Sequence, residues 1–183
     1  FTADAITFWY EKTLLNKDLT PSVPAWFQNK DGSAATVVAL DDYTVQITFD
    51  FPNTLFMTEP TFRDGGDRTL AAFLPGHYLK QFHPDFVAAA DLDQLVKAAG
   101  LASWTDLFMT KAMPTENPAR PTMAAWVPSN STISDQVFKL VRNPYYIGVD
   151  AAGNQLPYID EVQFRYFADV EALNFAAVAG ELD

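Results

Sequence analysis

Residues 43–50 alternate without a break: Tyr43, Val45, Ile47 and Phe49 are separated by Thr44, Gln46, Thr48 and Asp50. A period of two places the four apolar side chains on one face of an extended strand and the polar ones on the other. A core is needed on one side only, so this strand belongs to a half-buried sheet. The β-branched run at 35–40 precedes it, and Asp41 and Asp42 between the two suit a tight turn. The pair is a predicted antiparallel hairpin, ended by Pro52.

The remaining segments switch between helical and extended patterns. Thr2 is placed to cap a helix over 3–15, in which Ile6, Trp9, Tyr10 and Thr13 or Leu14 recur near helical spacing. Residues 20–31, with Pro21 and Pro24, read as a loop. Residues 54–62 suggest a short apolar helix or turn, 63–67 a polar loop, and 70–74 a strand. Pro75 suits the first position of a helix through Phe82. A helix over 91–99 stops at Gly100, and Ser103 caps another through Lys111. Residues 113–121 hold Pro114, Pro118 and Pro121 and read as a linker. Strands at 122–127 and 136–141 pair across a Ser/Asn-rich turn. A strand at 162–167 is followed by a helix capped by Asp169 and ended by Gly180. The expected class is α/β with a mixed sheet, without internal repeats.

Composition removes several function classes. The formal net charge of −11 opposes binding to nucleic acid or to an anionic membrane surface. The absence of Cys excludes disulfides, thiol nucleophiles and Cys-ligated zinc together. No uninterrupted apolar run approaches the ~20 residues that cross a bilayer. The chain starts at Phe1 without a basic n-region or cleavage site, so a signal peptide, if one existed, is expected to be gone already.

Catalytic signatures are missing. His77 and His83 are six apart, which on a helix sets them on different faces; surface or capping roles are expected, not a shared metal. The chain lacks the nucleophile elbow, the dinucleotide glycine pattern and the phosphate-loop pattern. Asp41 and Asp42 are accounted for by the turn. Residues 150–154 lack the alternating acidic ligands of a calcium loop. The triplet at Asn130 is expected to be a chance glycosylation match. Aromatic residues make up 14%; most must be core, and a few exposed ones would suit a ligand cleft.

Several segments occur together, in order: 1–11 (FTADAITFWYE), 39–49 (ALDDYTVQITF), 74–84 (LPGHYLKQFHP), 142–146 (RNPYY), 156–160 (LPYID) and 180–183 (GELD). In this set the chain resembles the extracellular solute-binding proteins, family 5, of bacterial ABC importers, the branch with dipeptide, oligopeptide and oligosaccharide binders. The resemblance spans nearly the whole sequence, yet the family's proteins are far longer. Residues 117–126 (NPARPTMAAW) depart from the Thr-Gly-Pro-aromatic run of peptide binders. With the insertion at 149–155 they are similar to the subgroup that includes oligosaccharide binders.

The resemblance implies a type II periplasmic-binding-protein fold, present as a partial two-lobe fragment. Residues 1–74 would be a portion of the small lobe and 75–183 a portion of the larger, ligand-binding lobe. It implies a non-enzymatic, cofactor-free receptor that captures peptides or oligosaccharides outside the cytoplasmic membrane and delivers them to permease subunits. Location would be periplasmic or extracellular, with any lipid anchor outside this chain. Trp26, Phe27, Arg63, Asp64 and Trp126 are the expected ligand contacts. Pro157, Tyr158 and Ile159, and the 142–146 strand end, are expected to be structural, with Tyr158 and Ile159 anchored in the core. The alternatives are a carboxylate-dependent hydrolase and a non-transport interaction module on the same fold.

Overall fold

A computed structural model describes residues 2–56, 74–131 and 137–182. The chain forms two compact units, Phe1–Met113 and Pro114–Asp183. The division falls in the proline-bearing segment read as a linker. The expected boundary near Leu74 and Pro75 lies inside the first unit, where Leu74 is 4% exposed and packs with Phe8 and Phe108 in one core. The expected loop at 63–67 lies outside the described residues, as do 57–62 and 70–73.

The first unit opens with helix α1, Ala3–Phe8, which continues as a six-residue π-helix, Trp9–Leu14. Thr2 occupies the cap position, but its side chain makes no capping bond. The N–H of Ala3 instead donates to the carbonyl of Asp42 at 2.8 Å, so the hairpin tip closes the helix start. The wider π turn is ended by Leu15 N–H donating to Tyr10 O at 3.0 Å. It buries Trp9, Thr13 and Leu14 together.

The predicted hairpin is present as β1, Thr36–Asp41, and β2, Thr44–Thr48, paired antiparallel with a bulge near Leu40. Val45, Ile47 and Phe49 are half-buried against the core, and the intervening residues are exposed. Tyr43 departs from the alternation. At 83% exposure it lies beyond the core edge, in the turn that Asp41 holds by accepting the Tyr43 N–H at 2.8 Å.

Helix α2, Gly76–Leu79, runs into a 3-10 turn, Lys80–Phe82; Pro75, expected as the first helical residue, sits at the cap, one position ahead of the observed start. Helices α3, Ala89–Ala98, and α4, Trp104–Ala112, pack on each other through Leu92, Val96 and Leu107. Gly100, at φ +68°, supplies the left-handed residue after α3. Ser103 caps α4 as expected, accepting the Asp106 N–H at 3.1 Å.

The second unit is a three-stranded antiparallel sheet in the order β3, Trp126–Pro128, then β4, Val137–Arg142, then β5, Glu161–Arg165. Helix α5, Val170–Val178, follows, capped by Asp169 accepting the Ala172 N–H at 2.8 Å. Among the described residues of this unit, Phe138 and Ala176 are the buried apolar ones. Asn143 is 3% exposed and holds the chain entering β3, donating to Ala124 O at 2.8 Å and accepting from Tyr145 N.

The expected anchoring of Tyr158 and Ile159 is corrected. They are 67% and 60% exposed, and Tyr145 is 88% exposed. The reason is local. Asp150 gathers the loop by accepting from the N–H groups of Ala152 and Asn154, the Asn154 amide and the Tyr158 hydroxyl, at 2.6 to 2.9 Å. A phenol tied to a surface carboxylate is held away from the sheet.

Candidate functional site

Two of the five expected contacts sit on one 3-10 turn, Ala25–Phe27. Pro24 enters it extended, and Phe27 O accepts from Ala35 N at 2.9 Å, which ties the turn to the start of the hairpin. Phe27 is 1% exposed, with ring edges against Trp9, Trp26 and Phe49 at 5.2 to 5.8 Å. Trp26 is half-buried. Its indole lies nearly parallel to Trp9 and to Phe56, at 6.4 and 6.1 Å. Its Nε1 has no hydrogen-bond partner among the described residues. Packing alone therefore orients this indole, and Phe27 is the wedge behind it. Arg63 and Asp64 lie outside the described residues.

A groove of about 300 Å³ on the same unit was not legible in the sequence. Its walls come from α1, from the π-helix that continues it, and from residues 80–86. Lys80 Nζ lies 5.9 and 5.5 Å from the rings of Phe8 and Phe86 and 3.3 Å from Asp4. Lys12 Nζ lies 5.8 Å from the Phe86 ring and 3.0 Å from Asp85. Each ammonium is thus held between an aromatic face and a carboxylate. Lys12, bonded to it, holds the Asp85 carboxyl below its usual value.

Beneath this groove His83 is 1% exposed, ringed by Phe8, Phe86, Trp104 and Phe108 at 5.3 to 6.5 Å. Its Nδ1 accepts the Asp85 N–H at 3.2 Å, which leaves the proton on Nε2 to donate to Lys12 O at 3.1 Å. The expected capping role holds in a buried setting. Burial pushes the imidazole below its ordinary value, against the pull of Asp85 and of the Lys12 carbonyl.

In the second unit Trp126 is half-buried on β3, and its Nε1 donates to Ile159 O at 3.1 Å. That bond fixes the indole and ties β3 to the chain entering β5. Near the start of the unit, Asn117 is 7% exposed and accepts from Ala119 N through its side chain and from Arg120 N through its carbonyl. Arg120, carried on this turn, is half-buried, and its Nε has no partner among the described residues. Among the described residues, no group of three or more His, Cys, Asp or Glu is placed to hold a metal. None of their helices is long and apolar enough to cross a membrane.

Residues 1–183 match the family described as bacterial extracellular solute-binding proteins, family 5 Middle. The periplasmic alpha-galactoside-binding protein of Rhizobium meliloti (strain 1021) is 34% identical over 172 residues, 90% of this chain and 21% of that protein. An oligopeptide-binding protein, OppA, superposes with a TM-score of 0.84 at 37% identity, covering 100% of this chain and 27% of that one. The periplasmic binding protein MelB of Agrobacterium fabrum C58, solved in complex with stachyose, gives 0.67 at 29% identity, covering 100% of this chain and 24% of that one. The chain therefore spans about a quarter of the length of the relatives it matches. Its mixed helix and sheet is the fold of part of a periplasmic binding protein.

Proposed function

The chain belongs to the bacterial extracellular solute-binding proteins, family 5, and from that premise we propose that it forms part of the substrate-binding component of an ABC importer. The solute is a peptide or an oligosaccharide, captured outside the cytoplasmic membrane and handed to permease subunits. The reading is carried by the match along all 183 residues, together with relatives named for binding an alpha-galactoside and an oligopeptide and one solved with stachyose. The periplasmic relatives support a periplasmic or extracellular location, with or without a lipid anchor.

On this reading the two units are portions of the two lobes, Phe1–Met113 of one and Pro114–Asp183 of the other. Trp26 and Trp126 present aromatic surface to the solute, Phe27 positions Trp26, and Arg63 and Asp64 offer polar contacts. Binding without catalysis suits rigid aromatic faces, which gain affinity by desolvation and require no titrating group.

Calorimetry on the polypeptide that carries this segment tests the proposal, with stachyose and a tripeptide as probes. One of them is expected to bind, and Trp26→Ala or Trp126→Ala to weaken it by about 1–3 kcal/mol. The 183-residue chain alone is expected to bind weakly, since portions of lobes that span about a quarter of the relatives' length do not enclose and desolvate a solute. Binding of neither probe by a folded protein would overturn the receptor reading. Unchanged affinity in both variants would overturn the site.

A further inference from the structure

Arginines in the described residues follow an unexpected order. Arg142 pairs with Asp160 at 3.4 Å and Arg165 with Glu181 at 2.7 Å, and all four side chains are well exposed. Arg120 is the most buried of these guanidinium groups, and no carboxylate is paired with it among the described residues: burial pushes it below its ordinary value. The covered Nε–H lacks an acceptor among the described residues. In a chain with 23 acidic and 12 basic residues, a shortage of carboxylates cannot explain this.

The side chain is not on a loose loop. Asn117 holds the turn before it through Ala119 N and Arg120 N, and Pro121 follows. Thr122 O accepts from Asn143 Nδ2 at 3.4 Å, and Asn143 is itself buried. A fixed backbone with a partly desolvated, unpaired guanidinium loses stability by burying an uncompensated charge. The same arrangement gains strongly from a planar, two-oxygen acceptor, whose geometry matches the guanidinium fork.

We infer that Arg120 is a carboxylate receptor, its guanidinium taking both oxygens of a carboxylate supplied either by a bound solute or by an acidic side chain of a longer polypeptide. The solute source rests on the receptor reading above and would favour peptides over neutral sugars; the polypeptide source does not depend on it.

The test follows the Arg120 Nε–H by NMR in the polypeptide that carries this segment. Three probes are added at matched ionic strength: sodium acetate against sodium chloride, trialanine with a free carboxylate, and trialanine C-terminal amide. A solute source predicts that acetate and free trialanine move the resonance and the amide does not, with Arg120→Gln weakening trialanine binding tenfold or more. A polypeptide source predicts an Nε–H already protected from exchange and unmoved by the probes, with Arg120→Gln lowering the Tm. Arg120→Lys keeps the charge but loses the fork, so it is expected to stay folded and show the same losses if the glutamine variant does not fold. An Nε–H exchanging as in free arginine, or variants equal to the parent in both binding and Tm, overturns the inference. Failure of stachyose and of both peptides to bind removes the receptor reading while leaving the exchange and Tm results to decide on Arg120.

Discussion

Acidification from pH 7.5 to 5.5 is expected to weaken the first unit through His83. In the fold this imidazole is neutral, because its Nδ1 must accept the Asp85 N–H and four aromatic rings exclude water. Its folded-state value is depressed, chiefly by burial. Above the unfolded value of about 6.5 both states are neutral and the contribution of the site is fully present. Below it the unfolded chain takes up a proton that the fold refuses, and stability falls until the lower folded-state value is passed. At pH 5.5 the unfolded state gains RT ln(1 + 10), so the loss reaches at most about 1.4 kcal/mol. Two charges face the ring: Asp85 Oδ2, 4.0 Å from Nδ1, resists the depression, and Lys12 adds to it. The carboxylates held below their usual value lose their contributions only at more acid pH, below about 3.8–3.9. Urea titrations followed by Trp fluorescence measure the change, and His83→Gln, which cannot titrate, is expected to remove most of it while lowering stability at both pH values. A stability independent of pH over this window, or a slope unchanged in His83→Gln, would refute the reasoning. So would a ring titration by NMR at or above the ordinary histidine value.

Gly76→Ala places a methyl 2.9 Å from Phe8 Cγ, and Phe8 is wedged against Phe108, Phe86 and His83, so denaturant melts should show a loss of about 1–3 kcal/mol. Ser103→Ala removes the α4 cap and is expected to cost about 1 kcal/mol by the same assay, with Ser103→Asp largely restoring it. Asp150→Asn should lower the Tyr158 phenol toward its ordinary value, since the bond to Asp150 raises it; a near-ultraviolet titration in which no tyrosine moves would contradict the loop geometry.

Local chemistry in the sequence determined the parts of this protein that need only near neighbours. The alternation at 43–49 defined β2 and the half-buried face of the hairpin. Ser103, Asp169, Gly100 and Gly180 marked helix ends, since a cap or a left-handed residue acts within one turn of chain. The ordered segments from 1–11 to 180–183 carried the family. Tertiary structure decided what depends on residues far apart in the chain. The groove joins Lys12 to Asp85 and Lys80 to Asp4, pairs about seventy residues apart that no local pattern links. His83 keeps its expected capping role, but its enclosure by four aromatic rings follows from distant residues, as does the packing of Trp9, Trp26 and Phe49 around Phe27. Tyr158 went the other way: apolar by composition, it is drawn outward by Asp150 eight residues earlier. Arg120 shows the limit most plainly. A charged residue between prolines looks like a solvated loop, because burial and the lack of a partner are properties of the packed chain and not of the residue.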